Sequence, residues 1–200
     1  MVRWTRGYDL PEKCVLIMKK LVLDVDETLV FSSNEMYSPA CVELSAQGTK
    51  FYTSFRPGTK PFLEYVLKNF ECWIWSTGQQ AYLEALFDHL GMSGFTLWGR
   101  DQCVRTNKSE MEPYEKPLRK ITKDLTQIVI VDNTPSVYAK TPQNGIFIRT
   151  WRGEQNDTEL EHLSYYLEWL KDQPSMQRDH CSWRMETLCL RSVVRGVMKG

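Results

Sequence analysis

Lys20-Leu21-Val22-Leu23-Asp24-Val25-Asp26-Glu27-Thr28-Leu29-Val30 is the stretch that decides how the rest of the chain is read. An apolar run without polar interruption fits a strand buried on both faces, as in a parallel sheet. Residues 20–25 are therefore the first expected strand. Open parallel sheets place ligand chemistry just beyond the carboxyl ends of their strands, where Asp24 and Asp26 fall. Alternate residues of an extended chain project to the same side, so these two carboxylates repel unless a cation sits between them. Magnesium suits that place, because it is a hard cation that takes oxygen ligands and keeps waters a phosphate can displace. A strand running into an acidic turn closed by Thr28 is the plainer reading of the same residues.

Outward from this stretch, strands and helices alternate. Cys41–Leu44 and Lys50–Phe55 flank a Gly-containing loop at 45–49 and predict a β-hairpin. Thr59 is expected to cap a helix whose apolar face is Phe62, Leu63, Val66 and Leu67. Cys72-Trp73-Ile74-Trp75 is a second buried strand, and a helix follows from Gln79 to Leu90, stopped by Gly91. Phe95–Trp98 is a third strand, and the stretch from Gly99 to Glu112 is polar and irregular. A short helix is expected over 117–124, then strands at Gln127–Val131 and Ile146–Ile148. Asp157 or Thr158 caps an amphipathic helix carrying Leu160, Leu163, Tyr166, Leu167 and Leu170. Alternation of this kind implies right-handed crossovers and an α/β fold with a central parallel sheet.

Asp24-Val25-Asp26-Glu27-Thr28 resembles the first motif of the haloacid dehalogenase superfamily in its phosphatase form. That resemblance implies a Rossmann-like three-layer sandwich and a set of further groups at strand ends. Ser76, directly after Trp73-Ile74-Trp75, stands where the superfamily places a phosphate-binding hydroxyl, and Thr77 is the adjacent alternative. Lys116 stands where it places a lysine, with Lys108, Arg119, Lys120 and Lys123 as rivals. Asp132-Asn133 follows Ile128–Val131 where it places an acidic pair, here an acid and an amide.

The likeness narrows at Arg56-Pro57-Gly58, Tyr114-x-Lys116-x-Leu118, Asp132-Asn133-x-Pro135 and Trp151 with Asp157-Thr158-Glu159-Leu160. These are similar to the small phosphatases of the RNA polymerase II C-terminal domain, the NLI-interacting-factor-like phosphatases. The resemblance covers roughly residues 17–173, between an N-terminal arm (1–16) and a basic C-terminal extension (174–200). It implies a magnesium-dependent phosphoserine/phosphothreonine phosphatase. Asp24 would be the nucleophile and Asp26 the acid/base, its backbone carbonyl also on the metal. Ser76 and Lys116 would bind phosphate, and Asn133 would be a metal ligand beside Asp132. Thr28, Thr77 and Arg56 are expected as substrate contacts. Ser76-Thr77-Gly78 and Arg152-Gly153-Glu154 depart from the family pattern.

Twenty-five basic residues balance 25 acidic ones. Zero net charge argues against strong nucleic-acid binding, which needs a basic face. Residues 174–200 carry five basic side chains against Asp179 and Glu186, and a solvated tail or a final helix face is expected there. No signal peptide or membrane-length apolar run is read from the chain. Six scattered cysteines without a Cys-x-x-Cys pair fit reduced thiols in a cytoplasmic or nuclear protein.

The stretch between the first strand and the first helix is too short for a cap domain. The site is expected to be capless and open, admitting a phosphorylated protein or peptide, with Tyr37, Phe51, Tyr52, Phe55 and Trp98 as candidate groove residues. Two other readings stay open. One is a superfamily phosphatase for small molecules or nucleic-acid ends, and the other is a catalytically silent binding module of the same fold.

Overall fold

The computed structural model describes residues 18–106 and 113–187. The expected N-terminal arm, Lys108 and residues 188–200 lie outside them. β1 (Lys20–Leu23) is the middle strand of a five-stranded sheet. Leu21 and Leu23 enter the core on one face and Val22 enters the core on the other. Both faces are covered, so no position in the run is free to be polar.

Beyond Thr28 the chain returns as β2 (Val30–Ser33), which β3 (Val42–Ala46) and β4 (Thr49–Phe55) join in a separate antiparallel sheet of order β2-β4-β3. The expected hairpin is thus longer than read and gains a third strand. Its turn is only two residues, Gln47 and Gly48, with φ of 49° and 80°. Two left-handed residues match the twist of the flanking strands, so pairing continues to Ala46–Thr49.

α1 (Thr59–Asn69) differs from expectation at its start. Gly58 holds the N-cap position at φ 83°, and the Thr59 hydroxyl instead donates to the carbonyls of Arg56 (2.8 Å) and Leu29 (3.0 Å). β5 (Glu71–Trp75), α2 (Gln80–Leu90) and β6 (Thr96–Trp98) follow, and Gly91 closes α2 in the left-handed conformation. The described part of the stretch expected to be irregular, residues 99–106, is more ordered than expected. It carries β7 (Val104–Arg105), paired antiparallel with β8 (Tyr114–Glu115). The helix expected over 117–124 is replaced by 3-10 turns at Leu118–Lys120 and Leu125–Gln127. β9 (Ile128–Asp132) is buried throughout, β10 (Gly145–Phe147) starts one residue earlier than read, and α3 (Glu159–Leu170) follows.

The five strands run in the order β10-β9-β1-β5-β6, every neighbouring pair parallel. Leu23 stands level with Ile74 on one side and Val131 on the other, so the chains leave β1, β5 and β9 at one edge. The three helices pack against Leu21, Leu23, Ile74 and Val131. Leu118, Leu125, Val137 and Tyr138, from 3-10 turns, cover Val22, Trp75 and Ile130 on the other face. The third layer is therefore built of turns. No helix of the described residues is long and apolar enough to cross a membrane.

Of the two expectations for the C-terminal residues, a solvated tail is not what residues 174–187 form, and 183–187 are helical. Met176 and Trp183 are fully buried. Trp183 Nε1 donates to the Phe147 carbonyl (2.9 Å), and Arg184 grips both carboxylate oxygens of Glu159. His180 is buried beside the Tyr166 hydroxyl (2.8 Å) and the Gln143 carbonyl (3.1 Å). Burial pulls its pKa down to about 4. A depressed histidine pKa gives stability that is whole above the unfolded value of about 6.5 and is lost as pH falls from there toward the folded value. Urea unfolding should therefore show stability declining between about pH 6.5 and about pH 4, and His180→Gln should flatten that decline.

Arg56 is the clasp of the fold. It is 1% exposed. Its Nε and Nη2 donate to the two Asp157 oxygens at 2.7 Å each, and Nη1 donates to the carbonyls of Thr28 (3.1 Å) and Arg149 (3.0 Å). It thereby joins the loop after β1, the segment after β10 and the start of α3. Burial alone would raise the Asp157 carboxyl, but the Arg56 bonds and the Glu159 N–H outweigh it and hold the pKa low. That contribution is whole above the unfolded carboxylate value, about pH 4, and fades as pH falls below it. Arg56→Ala should cost about 3 kcal/mol in denaturant unfolding at neutral pH, with a smaller difference from wild type in acid.

Candidate active site

Three inner strands deliver the site. Asp24 leaves β1, Asp132 ends β9 and Ser76 follows β5. The parallel register brings them to one edge of the sheet, where the Asp24 N–H also donates to the Val131 carbonyl (3.0 Å). Lys116 comes from the chain after β8. Its backbone N–H donates to the Val137 carbonyl (2.8 Å), which fixes where the side chain starts. The ammonium lies 1% exposed between Asp24 Oδ1 and Asp132 Oδ2, at 2.6 Å from each. The rivals Arg119, Lys120 and Lys123 are not brought there.

Burial by itself would lower the Lys116 pKa, but Asp132 and Asp24 outweigh it and hold the ammonium charged. Burial and then the Asp24 charge raise Asp132, opposed by Lys116. Burial and then Asp24 also raise Asp26, opposed by hydrogen bonds from Tyr82 and Ser76. Three carboxyl groups thus crowd one cation, and the cluster stays short of positive charge.

A cavity of about 360 Å³ opens onto this edge. Asp24, Asp26, Glu27, Thr77, Lys116, Asp132 and Asn133 line it on the chemical side, and Phe31, Arg100, Pro113 and Tyr114 form part of its rim. Ser76 is fully buried under Asp26, to which its hydroxyl donates (2.8 Å) while accepting the Gly78 N–H (2.7 Å). Thr77 is the hydroxyl on the cavity wall, so both alternatives read from the sequence sit at the site in different places.

Two expected substrate contacts are not brought to the cavity. Arg56 is spent on Asp157 and two carbonyls, and Thr28 is fully buried beneath the loop. Both serve the shape of the loop after β1. None of the five expected groove aromatics, Tyr37, Phe51, Tyr52, Phe55 and Trp98, lines this cavity, although Phe51 lines a neighbouring one that also reaches Asp26. Phe51 is buried edge-on to Tyr82, Phe55 stacks on His89, Trp98 packs against Trp75, and Tyr37 reaches the Phe31 carbonyl. Reading the sequence missed Phe31, Tyr82, Arg100 and Tyr114. Only Tyr82, in the first turn of the helix after Ser76, stands where its place in the sequence pointed toward the site.

The wall donors suit a hard cation, since carboxylates, an amide and backbone carbonyls are all oxygen ligands, with no His or Cys among the lining residues. No cluster of three His, Cys, Asp or Glu side chains forms a cage among the described residues. Magnesium does not need one, because it is held by one or two carboxylates with water and substrate oxygens completing its shell. Asp24, Asp132 and Asn133 are the expected metal residues that bring side-chain oxygens to this cavity.

The sheet order and its acidic edge define a haloacid-dehalogenase-like α/β protein. In structure the chain is similar to a variant of the fission yeast RNA polymerase II CTD phosphatase Fcp1 bound to beryllium fluoride. The TM-score is 0.53 at 18% identity, covering 88% of this chain and 62% of that one, a likeness of fold. The chain belongs to the NLI interacting factor-like phosphatase family, whose model matches residues 19–178. It is 33% identical over 187 residues to the mouse CTD small phosphatase-like protein, covering 88% of this chain and 66% of that protein. It is 34% identical over 164 residues to Phosphatase PSR1 of Saccharomyces cerevisiae, covering 79% and 38%. To CTD nuclear envelope phosphatase 1 of Xenopus tropicalis it is 30% identical over 168 residues, covering 76% and 67%. The chain therefore spans only part of the length of these relatives.

If Lys116 neutralises the buried carboxylates, Lys116→Met leaves them unpaired and should cost about 3–5 kcal/mol. Adding Asp132→Asn should restore part of that loss, as read from a double-mutant cycle of urea midpoints.

Proposed function

We propose that the chain is a magnesium-dependent phosphatase that hydrolyses phosphoserine and phosphothreonine on proteins through an aspartyl-phosphate on Asp24. The observation that carries this is the buried Lys116 ammonium held between Asp24 and Asp132 at the open edge of the sheet. Asp24 Oδ1 is engaged by Lys116, and its other oxygen accepts no hydrogen bond from the described residues. That oxygen is the nucleophile. A carboxylate nucleophile splits hydrolysis into two displacements, each easier than one.

Asp26 protonates the leaving oxygen in the first displacement and takes the proton of the attacking water in the second. Lys116 neutralises charge that would otherwise repel an incoming phosphoryl group. Thr77, which lines the cavity, would hydrogen-bond a phosphoryl oxygen, and Ser76 would act beneath, through Asp26. Bound at Asp24, the Asp26 carbonyl, Asn133 and Asp132, magnesium supplies charge neutralisation for the same group.

The substrate class rests on shape and on the relatives. Residues 30–55 form a three-stranded sheet, and among the described residues no folded lid stands over the site, an arrangement that suits a phosphorylated side chain better than a metabolite that must be enclosed. Phe31, Pro113 and Tyr114 on the rim offer apolar surface to an extended peptide. The relatives' names speak of CTD phosphatases. A cytoplasmic or nuclear place fits the free thiols of Cys41, Cys72, Cys103 and Cys181.

Phosphate release tests this directly. Activity should require magnesium and stop in chelator, and Asp24→Asn should fall below about a thousandth of wild type while unfolding normally. A phosphoserine peptide should have the higher kcat/KM in a panel with sugar and nucleotide phosphates. Activity that survives in Asp24→Asn, or a metabolite that outperforms every phosphopeptide, would overturn the corresponding part.

A further inference from the structure

The hydroxyl of Tyr82 donates to Asp26 Oδ1 at 2.6 Å, and its own oxygen lies 2.8 Å from Ser32 Oγ. Ser32 in turn lies 2.7 Å from Thr53 Oγ1. While Asp26 is ionised it only accepts, so the Tyr82 proton is committed to it, and when Asp26 carries the proton it gives away, Oδ1 still has a lone pair for the same bond. Tyr82 then accepts from Ser32, and Ser32 accepts from Thr53. Four groups from the loop after β1, α2, β2 and β4 are joined in one directed row. Ser76 holds the other oxygen, Oδ2. Asp26 thus has each of its oxygens fixed from a different element, and its carboxyl plane is set.

The arrangement is costly for a purely structural contact. It puts three hydroxyls in a row beside a carboxylate, where Thr53 is fully buried and Tyr82 packs edge-on to Phe51 at 5.0 Å. A phenylalanine would fill the ring's place in that packing. The hydroxyl is needed only by Asp26 and Ser32. A second cavity of about 360 Å³ lies alongside, lined by Asp26, Ser32, Phe51, Gly78, Gln79 and Tyr82 among others, and Asp26 and Ser32 line both it and the reaction cavity.

The geometry points to Tyr82 as a positioning residue that holds Asp26 aimed at the leaving oxygen, with Ser32 and Thr53 holding Tyr82. The inference rests on the reading of Asp26 as the acid in phosphoryl transfer to Asp24. In that step the bond from phosphorus to the leaving oxygen breaks, a bond from Asp24 to phosphorus forms, and the Asp26 proton passes to the departing oxygen. Aim matters most when that oxygen leaves poorly, as a serine alkoxide does. It matters least when it leaves as a stabilised phenolate, which needs no proton.

The test is the leaving-group dependence of kcat/KM in the full chain with magnesium, for wild type, Tyr82→Phe and Ser32→Ala. kcat/KM reports the first phosphoryl transfer and not the later hydrolysis. Tyr82→Phe should lower kcat/KM for a phosphoserine peptide by about ten- to a hundredfold, the worth of one hydrogen bond to a charged group. For 2,4-dinitrophenyl phosphate it should change less than about threefold, since that leaving group needs no acid. Ser32→Ala should follow in the same direction with a smaller loss, and it keeps the test decisive if Tyr82→Phe folds poorly. Equal losses on both substrates, or no loss on either, would overturn the positioning role. A wild-type chain that cleaves neither substrate would overturn the phosphatase reading and this inference with it. A leaving-group effect in Asp26→Asn that is absent from Tyr82→Phe would leave the phosphatase reading standing and remove Tyr82 alone.

Discussion

Lys116 between Asp24 and Asp132 is the interaction on which the rest depends. Two buried carboxylates at the edge of a parallel sheet would repel with nothing between them. The ammonium removes that repulsion at 2.6 Å on each side. Its place follows from backbone as much as from charge. The Lys116 N–H bonds the Val137 carbonyl, and Val137 belongs to the turn layer that covers Val22 and Ile130. The irregular face of the sheet thus carries the cation, and the helical face carries the clasp and the acid's supports.

Arg56 and Tyr82 divide the support of the loop after β1. Arg56 holds the Thr28 carbonyl from below and ties it to Asp157, while Tyr82 holds the Asp26 carboxyl from the side. Glu27, between them, sits at φ 58°, a conformation that costs a non-glycine residue energy. Its N–H donates to the Val30 carbonyl at 2.7 Å and its carbonyl accepts the Trp151 N–H at 2.8 Å, which is how the strained turn is kept. Fixing the loop from several elements gives its carboxylates a defined direction.

The rim has a different character from the floor. The floor is charge and hydroxyl held by regular elements, whereas the rim is Phe31, Arg100, Pro113 and Tyr114 from loops and short strands. Arg100 follows Gly99, where a β-carbon would stand 2.7 Å from the Gln80 backbone nitrogen and collide with it. Its Nε donates to the Thr77 carbonyl (2.6 Å), and its guanidinium lies over the Tyr114 ring at 5.8 Å. A charged and aromatic rim on a polar floor suits a phosphorylated side chain presented by a longer chain.

The sequence by itself determined the parallel sheet and the order of its chemical groups. Leu21–Leu23, Trp73–Trp75 and Ile128–Val131 are apolar on both faces, and a strand of that kind has to be buried in a parallel sheet, with its next residues at the edge. Asp24, Ser76 and Asp132 were legible for that reason, and Lys116 through its motif. What only the tertiary structure decided are the contacts between elements far apart in the chain. Thr59 looked like a cap, because a threonine before an apolar face usually is one, yet Gly58 takes that position. Arg56 looked like a substrate contact, because nothing local shows that Asp157 lies within 2.7 Å of it. Tyr82 stood near Ser76 in sequence, but its partners Asp26 and Ser32 lie 56 and 50 residues away, so its role could not be read there. Period and propensity report a residue's own strand or helix. They carry no information about which elements meet, and packing across the sheet decides whether a polar side chain becomes a clasp, a support or a site.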